Sequence, residues 1–250
     1  MNPFGGFMQS FQNVLTLTST TVLGFLVLNI APAPAHAIGV GGEVLPPDAV
    51  VNGYSLTDAA EAITLWQDTY DPIYLPDFPF QLLSFASFDY TVAPNTYLFL
   101  PISSSNNSPP IIGDFPSTLA EAIPYTFGPE QIGGSFQITV DGQTTDIGPA
   151  YLTGPFKMAL PNGGNTTFTL SAFLTPLAPG THTVGFQGSL DGQAFRDYWT
   201  GLGETCDDPC LSFNFAYNVT AVPEPATMAG LALAGAGLGV LRRKKQKSVE

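Results

Sequence analysis

The chain has 250 residues, a formal net charge of −13, and only seven Lys and Arg against twenty Asp and Glu. Five of those seven cations crowd into the last nine positions, so residues 38–222 hold only Lys157 and Arg196 against eighteen carboxylates. Such a body repels phosphate backbones and anionic lipid, which argues against nucleic-acid binding and against membrane attachment through its own surface. It leaves cations, neutral polymers and other proteins as partners.

At the amino end, Val14 to Ile30 is an apolar run followed by the helix-breaking stretch APAPAHA. Ala35 and Ala37 there occupy the two small-residue positions of an A-x-A cleavage site, so residues 1–37 read as a signal peptide and Ile38 as the first exported residue. No Lys or Arg precedes the apolar run, a departure from the usual pattern, and a retained membrane anchor is the alternative. Either reading places the body outside the cytoplasm. Residues 38–220 then form a single acidic ectodomain, long enough to bury a sizeable core.

One amphipathic helix is predicted near the front of that body, over Thr57 to Gln67. Leu56, Ala59, Ala60, Ile63 and Trp66 share one helical stripe behind a Ser55 or Thr57 cap, with acidic residues in the first turns where they suit the helix dipole. Beyond it, apolar residues alternate. QLLSFASFDY and TYLFLPI are strand candidates, and the polar, Pro-rich PISSSNNSPPIIGDFPS between them and the next strand reads as a long exposed loop. SFQITV turns Phe136, Ile138 and Val140 inward; TTFTLSAFL does so with Phe168, Leu170, Ala172 and Leu174; THTVGFQG with His182, Val184 and Phe186. LSFNFAYNVT sets Phe213, Phe215, Tyr217 and Val219 on one face and Asn214, Ala216, Asn218 and Thr220 on the other. Each is expected to have one wet face.

Asp-Gly turns at Val140 to Gln143 and Leu190 to Gln193 end two of these strands, and Ala178 to Gly180 is expected to close a hairpin. Seven or eight strands result. The predicted fold is mainly β, a two-sheet antiparallel sandwich of jelly-roll or immunoglobulin-like type with one short N-terminal helix.

The search for chemistry is mostly negative. His182 is the one histidine left once the signal is removed, and its alternating strand suits a hydrogen-bonded structural role better than general-base work. There is no G-x-S-x-G elbow, no Gly-rich phosphate loop with a following Lys and no H-E-x-x-H, so the body is not read as an enzyme and no cofactor is assigned. Asp141 with Asp146, Asp191 with Asp197, and Asp207 with Asp208 cluster oxygen ligands, but none follows calcium-loop spacing, and incidental surface charge is the favoured reading. Cys206 and Cys210, in CDDPC, are expected to be bonded to each other in an oxidising compartment; a redox or metal role is the alternative. Tyr198 and Trp199 are candidate sugar-stacking aromatics, weighed against plain core packing.

The carboxyl end is the most telling. Pro223 and Pro225 flank Glu224, the apolar run Ala226 to Leu241 follows, and RRKK comes directly after it. Sixteen helical residues span about 24 Å, short of a roughly 30 Å hydrocarbon core, so the transmembrane helix is thin and its basic end stays cytoplasmic. Gly235 and Gly239 offer a small-x-x-x-small face to another helix. The prolines hold the segment beside the membrane out of helix.

In these residues, Val222 to Lys247, the chain resembles the bacterial PEP-CTERM sorting signal. The resemblance implies recognition by an exosortase, a membrane peptidase, with Pro223, Glu224 and Pro225 as the recognition element in residues 221–250. It also implies transient residence in the inner membrane and delivery to the cell surface or an extracellular polysaccharide matrix. An ordinary single-span anchor is the alternative. Residues 135–220 resemble secreted bacterial β-sandwich proteins, which implies a fold and no activity. A structural or interaction role is the expected function, with a module binding exopolysaccharide as the alternative and a secreted hydrolase as the less favoured one.

Overall fold

A computed structural model of the chain describes residues 41–69, 78–84, 87–160 and 163–223. Within them the protein is mainly β. Strands β1 (Val50–Val51) and β2 (Tyr54–Ser55) form a small ribbon. A four-stranded sheet has the order β3-β5-β9-β8, from Gln81–Leu82, Leu98–Asn106, Thr166–Leu174 and Leu152–Lys157. A five-stranded sheet has the order β4-β11-β10-β6-β7, from Asp89–Val92, Leu211–Ala221, Gly180–Leu190, Gly134–Val140 and Gln143–Asp146.

The expected purely antiparallel arrangement needs correction, because each sheet is mixed. β3 pairs with β5 in parallel, and β4 pairs with β11 in parallel. The cause is the path of the chain: it leaves the four-stranded sheet after β3, contributes β4 to the other sheet, and returns as β5 running in β3's direction. A chain that crosses between sheets and comes back can re-enter parallel, whereas a tight hairpin cannot.

The residues that alternate in the sequence fill the space between the sheets. Leu98, Leu100, Ile102, Phe168, Leu170 and Ala172 from one sheet meet Phe136, Ile138, Val184, Phe186, Tyr217 and Val219 from the other in a single buried cluster. The opposite face of the four-stranded sheet is not wet, contrary to expectation for β9. All nine residues of that strand are buried, because helix α1 (Leu56–Thr69) lies over it. Leu56, Ala59, Ala60 and Ile63 of α1 pack with Phe99, Phe156 and Phe173 in a second core, and Thr64 shares a hydrogen bond with Thr169, their hydroxyls 3.0 Å apart. The helix starts on a reciprocal cap: the Ser55 hydroxyl accepts from Asp58 N–H, and the Asp58 carboxylate accepts from Ser55 N–H.

Four further expectations change. The stretch read as a loop from Pro101 is strand as far as Asn106, since its serines pair with β9 despite their polarity. The Ala178 to Gly180 link is no hairpin; it carries the chain from β9 in one sheet to β10 in the other. The second Asp-Gly pair opens a helix, with Gly192 as the N-cap of α3 (Gln193–Gly201). The single helix becomes three among the described residues, α2 (Leu119–Phe127) beginning on a capping box between Thr118 and Glu121. The first Asp-Gly pair does make the β6–β7 hairpin, with Asp141 at φ 49° and Gly142 at φ 84°, both in the left-handed region such a turn requires.

Candidate functional site

β11 delivers the carboxyl end of the chain. Its eleven residues pair with β10 without interruption from Leu211 to Ala221, and its last four pair with β4. Ala221 is buried, Val222 donates its N–H to Val92 O at 3.0 Å, and Pro223 is exposed. The sheet thus ends one residue before the first proline. Glu224, Pro225 and the predicted transmembrane helix lie outside the described residues, as do Ala35 and Ala37. Among the described residues no helix is long and apolar enough to cross a membrane.

Residues 221–245 match the family model of the PEP-CTERM protein-sorting motif. The chain carries a PEP-CTERM sorting motif. The match begins on the last residue of β11, so the PEP-CTERM segment is joined to the folded body with no linker. The motif implies an exported protein that an exosortase recognises and that is sorted to the cell surface. No curated protein and no solved structure matches the chain.

The remaining candidate residues of this PEP-CTERM protein fall into separate places. Cys206 and Cys210 are joined by a disulfide, their Cα atoms 4.4 Å apart. The loop they close is tied down by Asp191, whose carboxylate accepts from Cys210 N–H at 2.8 Å and forms an ion pair with Arg196. Asp197 accepts from Gln193 Nε2, and Asp146 from Gln137 Nε2 at 2.7 Å. No three His, Cys, Asp or Glu among the described residues come together as a metal site. His182 is buried, with Nδ1 2.6 Å from Asp141 Oδ2 and Nε2 2.7 Å from Ala178 O. Both ring nitrogens therefore face acceptors, and the ring ties the β6–β7 turn to the link between the sheets.

Tyr198 and Trp199 sit on α3 and do not form an exposed platform. Trp199 stacks on the buried Phe195, centroids 5.7 Å apart, and packs against the main core. Partial burial raises the Tyr198 hydroxyl above its ordinary pKa.

A feature that sequence reading did not single out lies on the outer face of the five-stranded sheet. Register aligns Ser135, Ser189 and Ser212 in one row across β6, β10 and β11, and Gln137, Gln187 and Asn214 in the next. The two rows line an open depression of ≈ 500 Å³. A second cavity, between the sheets beneath Ile112 and Tyr125, has ≈ 50 Å³ of interior, room for a few waters. Alternation showed which of these six side chains face outward. Their alignment depends on pairing strands far apart in sequence, Gln137 with Gln187 and Gln187 with Asn214.

Proposed function

We propose that this chain is a two-sheet β-sandwich body delivered to the outer surface or extracellular matrix by exosortase processing, where it serves a structural or interaction role. The observation that carries the reading is the direct run of β11 into the PEP-CTERM match, with Val222 still held to Val92 and Pro223 exposed. A membrane-embedded peptidase needs an extended segment beside the bilayer, and a Pro-Glu-Pro sequence disfavours helix. The apolar run after them is short for lasting residence, which fits a temporary anchor. The acidic body stays clear of anionic lipid while it waits.

Mass spectrometry of surface material tests this. The mature protein is expected to lack the RRKKQK tail, and Glu224→Ala, or alanine at both Pro223 and Pro225, to hold the full-length chain in the membrane fraction. Peptides from Met228 to Glu250 continuous with the body in wild-type surface material would show a simple anchored protein instead.

A further inference from the structure

We infer that the outer face of the five-stranded sheet, at the serine row Ser135–Ser189–Ser212 and the amide row Gln137–Gln187–Asn214, is a binding site for a neutral polyhydroxylated chain, a glycan without acidic sugars. It rests on the proposed delivery of the body to the outside only for where such a polymer is met.

The first argument is charge. The body carries eighteen carboxylates, yet the residues lining the depression are Ser, Gln, Asn, Gly188 and Phe213, with no ionisable group. An anionic polymer finds no cation here, and a cation finds no carboxylate among the lining residues. A neutral ligand that both donates and accepts hydrogen bonds is the chemistry that matches amides and hydroxyls.

The second argument is order. Gln187 Nε2 donates to Gln137 Oε1 at 2.6 Å, and Gln137 Nε2 donates to Asp146 Oδ1 at 2.7 Å. The relay ends on the Asp146 carboxylate at the rim, which fixes both amides in one orientation. Side chains already held in place lose little rotamer freedom on binding, which is what a ligand of many weak hydrogen bonds requires.

The third argument is shape. Neighbouring strands lie about 4.8 Å apart and residues two apart on a strand about 6.7 Å, so six side chains form a shallow lattice. Phe213, whose ring packs against Phe136 and Phe186, is the one aromatic among the residues lining the depression. A second protein copy is poorly served by this face, because Phe213 is the one large apolar side chain among the eight lining residues, too little to form a dry interface core.

Native affinity electrophoresis of the full chain, in a polyoxyethylene detergent that carries no sugar headgroup, tests the inference. Gels are cast with dextran, galactomannan or hydroxyethylcellulose, and with alginate as the anionic counterpart. Retardation is expected in at least one neutral gel and none in alginate. Gln187→Ala with Asn214→Ala should weaken the retarding interaction about tenfold. Thr57→Ala, on exposed α1 surface, should leave it unchanged. If the double variant loses its native circular dichroism, Gln187→Glu takes its place and should weaken binding by adding a charge of similar size. Migration unaltered by all three neutral polymers overturns the inference, as does retardation that survives these variants, or alginate retarding as strongly. Mobility that depends on protein concentration without polymer, and is lost in the variants, would make the face a self-interface and overturn it too. Removal of the RRKKQK tail in the same cells is read separately, so failure here leaves the sorting proposal standing.

Discussion

Val222 donates its backbone N–H to Val92 O at 3.0 Å, which binds the first valine of the sorting segment to the edge strand of the five-stranded sheet. The parallel register from Asn218↔Asp89 to Ala221↔Val92 leads straight into that bond. The folded body is therefore seated hard against the segment a membrane peptidase must grip. A flexible Gly-Ser hexapeptide inserted between Val222 and Pro223 adds reach of about 13 Å. Loss of the tail in a pulse-chase experiment is expected to speed up; an unchanged rate would mean the seating is not limiting.

The second core under α1 has its own stability test. Phe173 touches Phe80 and Phe99 edge-on, at centroid distances of 5.2 and 5.1 Å, and is almost wholly buried. Phe173→Ala is expected to cost about 3–5 kcal/mol by lost transfer energy and cavity formation. Urea unfolding with an unchanged m-value and a lower midpoint checks this. Leu65→Ala, on the exposed side of the same helix, should change stability by under about 0.5 kcal/mol.

Tyr217 is fully buried between the sheets, and its hydroxyl has no hydrogen-bond partner among the described residues. Burial, with a smaller contribution from Tyr90, pushes its pKa well above the ordinary 10.0. The folded state therefore holds a proton that the unfolded state releases, so stability is intact below about pH 10 and falls as pH rises beyond it. Tyr217→Phe removes the unpaired hydroxyl. It should raise stability at neutral pH by about 1 kcal/mol and move the alkaline unfolding midpoint upward, as followed by near-ultraviolet circular dichroism.

Acid acts on the helix starts. The Ser55 hydroxyl and N–H both donate to Asp58, and Ser117 N–H, Ser117 hydroxyl and Thr118 N–H donate to Glu121, so both carboxyls titrate below their ordinary values. Their contribution is present above about pH 4.5 and lost as pH falls through the lowered values. The melting temperature should drop below that pH, and less steeply in a variant with Asp58→Asn and Glu121→Gln.

The disulfide closes a very short loop, so chain entropy assigns it about 2 kcal/mol. Cys206→Ser with Cys210→Ser should lower the unfolding free energy by that amount, read as a lower urea midpoint at unchanged m-value. Wild type in reductant should match the variant. A larger loss would mean that the Asp191 contacts to Cys210 and Arg196 collapse with it.

What the sequence determined by itself is what neighbouring residues decide among themselves. The 3.6-residue stripe Leu56, Ala59, Ala60, Ile63 sets a helix, the two-residue alternations of Phe136, Ile138, Val140 and of Tyr217, Val219 set strands, and Asp141-Gly142 sets a tight turn, because these periods are backbone geometry. Pro223, Glu224 and Pro225 ahead of an apolar run and a basic tail are legible for the same reason: an address is read as a linear segment. The Thr118 to Glu121 cap of α2 was also there to be read. Tertiary structure alone decided which strands are neighbours. Thr167, Thr169 and Ser171 have the polarity of a wet face, yet all three are buried, Thr169 against Thr64 of α1, and the serines after Pro101 look like loop until β9 pairs with them. The serine and amide rows exist only through the register of β6, β10 and β11. That register is set by how two sheets and a helix share their apolar surface, a non-local balance that no short window of residues contains.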